Sequence, residues 1–339
     1  MKYRYIGKTG LRVSPLCMGT MTFGLQCDQK EAFKILDKAY DAGINFFDTA
    51  ELYPVPPSGE LAGRTEEIVG EWLQTKPRDS VILATKVAGA ANGWFVPPIR
   101  HGFTAIDRFH ITRALEGSLK RLKTDYIDLY QVHWPDQTVP IEESLSVLDE
   151  LVKAGKIRVI GTSNDSAYGL TKANETAKFK GLTRFESIQN NFSLLNPRFL
   201  DELGTVCEKE SISLLPYSPL AGGVLTGKYN GGFFPPTARF AKYVNATNPR
   251  LQAQANRFVN AKTLEATARY HTIAAEHGMN LTTMATAWSM QHPFVASSII
   301  GATHAGQLEE TLAALHVTLS PELLKELHDV QHAILYPMG

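Results

Sequence analysis

Eight short apolar runs, alternating with stretches of helical spacing, constrain this chain more than any other feature. The runs cover 16–19, 44–47, 81–86, 126–133, 159–163, 187–190, 213–217 and 298–301. Between them, apolar residues recur at helical intervals over 30–40, 65–73, 110–122, 141–154, 168–177, 199–208 and 281–291, with Asp28 placed to cap the first. Runs this apolar read as strands buried on both faces, and strict strand–helix alternation means a parallel sheet. Eight such units predict an α/β fold closed into a (β/α)8 TIM barrel, one domain over 1–339. Upstream, 3–6 and 11–14 flank Gly7-Lys8-Thr9-Gly10 and predict a β-hairpin. Two connections, 87–106 and 218–260, are longer than the usual few residues and read as long loops on the C-terminal face, where barrels carry their chemistry.

Charge and cysteine content exclude several classes of function. Lys plus Arg and Asp plus Glu are both 34, so no basic excess points to a nucleic-acid partner. Cys17, Cys27 and Cys207 lack metal or redox spacing, and neither a metal site nor a disulfide is expected. Met1-Lys2-Tyr3-Arg4-Tyr5 carries no signal-peptide core, and no run reaches the length of a membrane span. A soluble protein of the reducing cytoplasm, with no membrane partner, is the expectation.

Chemistry concentrates where three strands end. Asp48 immediately follows the second run, with Tyr53 five positions later in the same loop; Lys86 closes the third and His133 the fourth. A buried ammonium needs a counter-charge, and Asp48 is the available one. A phenol titrating near pH ~10 is a poor acid until a cation within about 4–6 Å lowers it, which Lys86 can do. His133 would orient a carbonyl oxygen. These four residues suit protonation of a carbonyl oxygen while a hydride reaches the carbon, and a nicotinamide is the commonest hydride source. No glycine fingerprint follows a strand, so a Rossmann domain is disfavoured and the dinucleotide would lie across the barrel mouth.

Asp48, Tyr53, Lys86 and His133, in this order at successive strand ends, resemble the tetrad of the aldo-keto reductases. The flanking words agree: Gly19-Thr20-Met21-Thr22-Phe23-Gly24, Asp125-Tyr126-Ile127-Asp128-Leu129-Tyr130-Gln131-Val132-His133-Trp134-Pro135, Gly155-Lys156-Ile157-Arg158 and Gly161-Thr162-Ser163-Asn164. Glu51-Leu52-Tyr53-Pro54-Val55-Pro56-Pro57 and the Tyr336-Pro337 ending are similar to the bacterial Tas-type branch.

The resemblance implies NADP(H)-dependent reduction of a small carbonyl substrate, with NAD(H) as the alternative cofactor, and a hairpin plugging the barrel bottom. It also implies roles for particular residues. Gly19, Thr20, Met21 and Asp48 line the cofactor edge of the mouth; Ser163, Asn164 and Gln189 hold the carboxamide, and Tyr217 stacks on the nicotinamide. Ser218, Leu220, Gly222, Lys228 and Arg239 clasp the diphosphate. Gly301 and Thr303, opening a helix, meet the 2′-phosphate, with Gln307 and Glu310 directed at the adenosine. Met21, Phe23, Trp94 and Trp134 would wall the substrate pocket. The sequence departs from many relatives in having Thr303 where they carry Arg, Lys or Ser, and Thr311 where they carry Asn. The family also implies a second role, since some of its barrels dock on channels and sense NADP.

Overall fold

The computed structural model describes residues 1–90 and 95–338. A two-stranded antiparallel hairpin, β1 (Arg4–Tyr5) and β2 (Arg12–Val13), precedes eight parallel strands. These are β3 (Leu16–Gly19), β4 (Phe46–Asp48), β5 (Ile82–Val87), β6 (Ile127–Val132), β7 (Ile157–Ser163), β8 (Ser187–Gln189), β9 (Ser213–Leu214) and β10 (Ser298–Gly301). β10 pairs with β3, and parallel bridges Leu214–Val295 and Tyr217–Ile299 join the last two strands, so the sheet closes. The expected (β/α)8 barrel is therefore present.

Side chains alternate across each strand, and the inward and outward sets pack into different cores. Cys17, Phe46, Ala84, Leu129, Val159, Leu215 and Ile299 fill the lumen together with Ile6, Leu11 and Val13 of the hairpin region. The hairpin is thus a plug at the bottom of the barrel. The outward set joins the helices in a second, larger apolar layer that includes Met18, Phe47, Tyr130 and Trp72.

Seven of the helices follow the sequence periodicity; those over Ala261–Glu276 and Pro321–Ala333 were not expected from it. α1 (Gln29–Asp41) starts at Asp28, whose carboxylate accepts from the Glu31 amide and so satisfies a free N–H of the first turn. α2 (Arg64–Leu73), α3 (Arg108–Leu122), α4 (Ile141–Lys153), α5 (Ala167–Lys180) and α6 (Leu203–Glu210) follow successive strands. The segment 218–260 departs from the expected long loop. It holds α7 (Arg239–Val244) and α8 (Pro249–Phe258), and is followed by α9 (Ala261–Glu276), α10 (Leu281–Met290), α11 (Leu308–Ala313) and α12 (Pro321–Ala333). Its glycines and prolines obscure short helices that are held by packing, with Phe240 stacked on Phe258 at 5.1 Å.

A half-buried histidine is expected to make the fold acid-sensitive. His292 lies among Phe192, Trp288 and Phe294, its Nε2 buried without a partner, and burial lowers its pKa from 6.5 to about 4. As pH falls through 6.5, the unfolded chain takes up a proton that the folded chain refuses until about 4, so stability falls across that window. Substitution His292→Leu is expected to reduce the loss of Tm between neutral pH and about pH 5 by roughly 2–4 °C, read by thermal denaturation at both pH values.

Candidate active site

Period-two alternation brings the predicted groups onto one face of the barrel mouth. Asp48 sits level with Gly19 and Ala84 on the neighbouring strands, and Lys86 level with Gln131, two positions before His133. Asp48 is 2% exposed and Lys86 fully buried. The Lys86 ammonium donates to Asp48 Oδ2 at 2.6 Å, to the Thr49 carbonyl at 2.8 Å and to Tyr53 Oη at 3.5 Å. The other carboxylate oxygen of Asp48 accepts from Gln131 Nε2 at 3.1 Å and Gln189 Nε2 at 2.9 Å. A carboxylate with this many donors is fixed in place, and it in turn fixes the ammonium beneath the phenol.

Electrostatics assign each group a protonation state. Burial alone would pull the Lys86 ammonium down, but Asp48 and then Tyr53 outweigh it and hold it above its ordinary value. For Tyr53, burial pushes the phenol up, Lys86 pulls it back, and Asp48 adds to the rise, leaving it above the usual tyrosine value. The expectation that Lys86 brings it below that value is corrected: the cation acts in the predicted direction, and desolvation outweighs it. Burial, helped by the Lys86 charge, holds His133 well below the usual histidine value, so its imidazole is neutral. Its Nδ1 is buried without a partner, while the ring stacks on Trp134 at 3.8 Å and meets Tyr53 edge-on at 5.8 Å.

The expected cofactor residues separate into those the structure brings together and those it engages elsewhere. Ser163 Oγ donates to the Gln189 carbonyl, Asn164 Nδ2 donates to the His133 carbonyl, and Tyr217 Oη donates to Asn164 Oδ1 at 2.8 Å. These side chains form one connected wall. Thr20 is fully buried, its hydroxyl spent on the Asp48 carbonyl, so it supports the site from behind. Gly19 is needed for closeness, since a Cβ there would lie 2.6 Å from the Ile299 side chain. Met21 is half-buried, its carbonyl accepting from the Val55 amide.

Past β9, Ser218 and Leu220 are half-buried, and Gly222 adopts a positive φ where a Cβ would strike the Phe240 ring at 2.6 Å. Lys228 stands over the Gly223 turn, and partial desolvation with the neighbouring Arg239 charge pulls its ammonium below the ordinary value. Burial likewise lowers Arg239. At the end of β10 Gly301 is exposed, and just past it Thr303 is half-buried. The Thr303 amide and hydroxyl both donate to Gln307 Oε1, while Glu310 accepts from Asn280. A single turn of tighter helix over Ala305–Gln307 intervenes before α11, so Thr303 does not open a regular helix as expected.

One of the four expected substrate walls stands differently. Phe23 is fully buried in the outer layer, and its carbonyl accepts from the Thr65 hydroxyl of α2; the strand-end turn points its ring away from the mouth. Trp94 lies outside the described residues. Trp134 is 8% exposed and packs edge-on against Phe95 at 5.4 Å. Sequence reasoning missed Gln131, although its place two residues before His133 puts it on the same strand face.

Fold and site define a (β/α)8 barrel with a buried acid–lysine–phenol cluster and a neutral imidazole at its C-terminal mouth. The family model of the Aldo/keto reductase family matches residues 15–332. Protein tas of Escherichia coli is 40% identical, covering 99% of both chains. The uncharacterized oxidoreductase YrpG of Bacillus subtilis and a probable voltage-gated potassium channel subunit beta of Oryza sativa are each 36% identical, over 97% of this chain and 96% of theirs. The chain belongs to the aldo/keto reductase family, a family of oxidoreductases.

Proposed function

We propose that the protein reduces aldehyde or ketone carbonyls to alcohols reversibly, with NADPH as cofactor and NADH as the alternative, in the cytoplasm. The observation that carries this reading is the Lys86 ammonium, 2.6 Å from Asp48 and 3.5 Å from the Tyr53 hydroxyl. A dinucleotide fits the donor set at the mouth. Lys228 and Arg239 offer two adjacent cations beside a glycine turn to a diphosphate, and the Ser163–Asn164–Gln189 wall offers the Gln189 side-chain oxygen, whose amide nitrogen is held by Asp48, to a carboxamide. When bound, the nicotinamide supplies the hydride that the carbonyl carbon accepts.

The protein's own groups then handle the proton and the oxygen. Tyr53, protonated through neutral pH, gives its proton to the carbonyl oxygen. Lys86 stabilises the phenolate left behind, and Asp48 keeps Lys86 charged and in place. The neutral His133 can donate a hydrogen bond to the same oxygen without competing as an acid. Met21 and Trp134 wall the pocket.

Steady-state oxidation of NADPH with a panel of aldehydes and ketones tests this, and absence of turnover despite tight cofactor binding would defeat it. Such an outcome would favour a cofactor-sensing subunit, a reading supported by the likeness to the rice protein named as a probable channel subunit. Failure to bind any dinucleotide in a fluorescence titration would favour a barrel of non-redox proton-transfer chemistry. Substitution Lys228→Ala is expected to raise the KM for NADPH about tenfold with little change in kcat, since it removes one charge-assisted contact to the diphosphate. An unchanged KM would remove Lys228 from the clasp.

A further inference from the structure

Between the site and the β5–α3 connection lies a second buried ion pair that the proposed proton transfer does not use. Glu51, 5% exposed, sits in the loop between Asp48 and Tyr53. Its carboxylate takes both prongs of the Arg100 guanidinium, Nη1 at 2.8 Å and Nη2 at 2.9 Å. The same carboxylate accepts from the Ala88 amide at 2.7 Å, and Arg100 Nη2 also donates to the Ala88 carbonyl at 3.2 Å. The Glu51 backbone amide donates to the Lys86 carbonyl at 3.4 Å. Glu51 thereby extends the β4–β5 pairing past the ends of both strands, through its amide and then through its side chain.

Three consecutive residues, Arg100, His101 and Gly102, have φ of 50°, 54° and 81°. Two non-glycine residues in this region persist only where the surroundings hold them. Alongside the ion pair, Leu52, Ala88 and Trp134 form an apolar cluster against which Phe95 and Ile99 pack. Phe95 meets Trp134, Trp134 stacks on His133, and His133 meets Tyr53. The segment that carries Arg100 is therefore linked to Tyr53, through the loop of Glu51, and to His133, through the indole of Trp134.

We infer that the Glu51–Arg100 ion pair is the positioning device that sets the separation of Tyr53 from Lys86 and seats Trp134 behind His133, so that Arg100 couples the pocket wall to the proton donor. This rests on the reductase reading for its kinetic consequence, and on geometry alone for its structural one. A two-pronged pair fixes direction as well as distance, which a single lysine contact does not.

The test uses Arg100→Met, Glu51→Gln, the double variant and Arg100→Lys in the full-length protein. Each single variant is expected to lower kcat about 10- to 100-fold while the KM for NADPH stays within about twofold, because displacement of a catalytic group by an ångström costs that much. The double variant is expected to lose no more than the worse single one, since both break the same contact. Arg100→Lys should recover only part of kcat. In a crystal structure of Arg100→Met, the Tyr53 Oη to Lys86 Nζ distance should lengthen beyond the present 3.5 Å. Single variants that keep kcat within about twofold and merely melt earlier, or an unchanged Tyr53–Lys86 distance, would reduce the pair to a loop staple and overturn the inference. The crystallographic readout needs no turnover, so a wild-type protein that reduces no carbonyl would sink the reductase reading while leaving this geometry testable.

Discussion

Tyr53→Phe is expected to lower kcat for carbonyl reduction by about 10²–10⁴-fold, the range contributed by a positioned general acid, while NADPH affinity stays within about twofold. The substitution removes one oxygen from a ring that is 9% exposed, so packing against His133 persists and only the proton is lost. The wild-type pH dependence follows from the phenol lying above its ordinary value of 10.0 through burial. Reduction needs the protonated phenol, so its rate is expected to be flat through neutral pH and to fall only at strongly alkaline pH. Oxidation of the alcohol needs the phenolate and should rise with pH over the same range. Stopped-flow single turnovers with a reactive aldehyde check the first expectation, and alcohol oxidation rates against pH check the second. A Phe variant as fast as the wild type would remove Tyr53 from proton transfer.

Lys86→Met is expected to be worse, because it damages the fold as well as the reaction. The pair it breaks is fully buried on the lysine side and nearly so on the aspartate side. Removing one partner leaves the Asp48 carboxylate facing Gln131 and Gln189 with no counter-charge, a loss of about 3–5 kcal/mol by the behaviour of broken buried pairs. The wild-type ammonium is held above 10.5, so the stability it contributes is complete below that value and is lost only as pH rises through the higher, folded one. Adding Asp48→Asn removes the stranded charge and is expected to restore most of the stability but none of the activity, since the phenolate still lacks its cation. Urea denaturation and kcat measured on the two variants separate the effects. Full stability in the single Lys86→Met variant would show that the pair is not the electrostatic centre of the barrel mouth.

Much of the barrel was legible because its determinants are local. The strand over Leu16–Gly19 and the N-cap Asp28 depend on neighbours within a few positions, and both stand as read. Asp48, Lys86 and His133 were recognisable because each ends an apolar run, and parallel strands in register bring such ends to one mouth. The helices within 239–258 were not legible, because one is only a turn and a half long and both are stabilised by contacts distant in sequence.

Phe23 was expected as a pocket wall, and only the path of the turn sends it under α2. The pairing of Arg100 with Glu51 carried no signal, the two being 49 positions apart. What the sequence determined alone was the order of the barrel strands, the closure they demand, and which residue types arrive at the mouth, since periodicity and strand length are properties of adjacent residues. What only the tertiary structure decided was the net shift of Tyr53 and the ion pair that holds its loop, because desolvation and pairing depend on everything packed around a group in space.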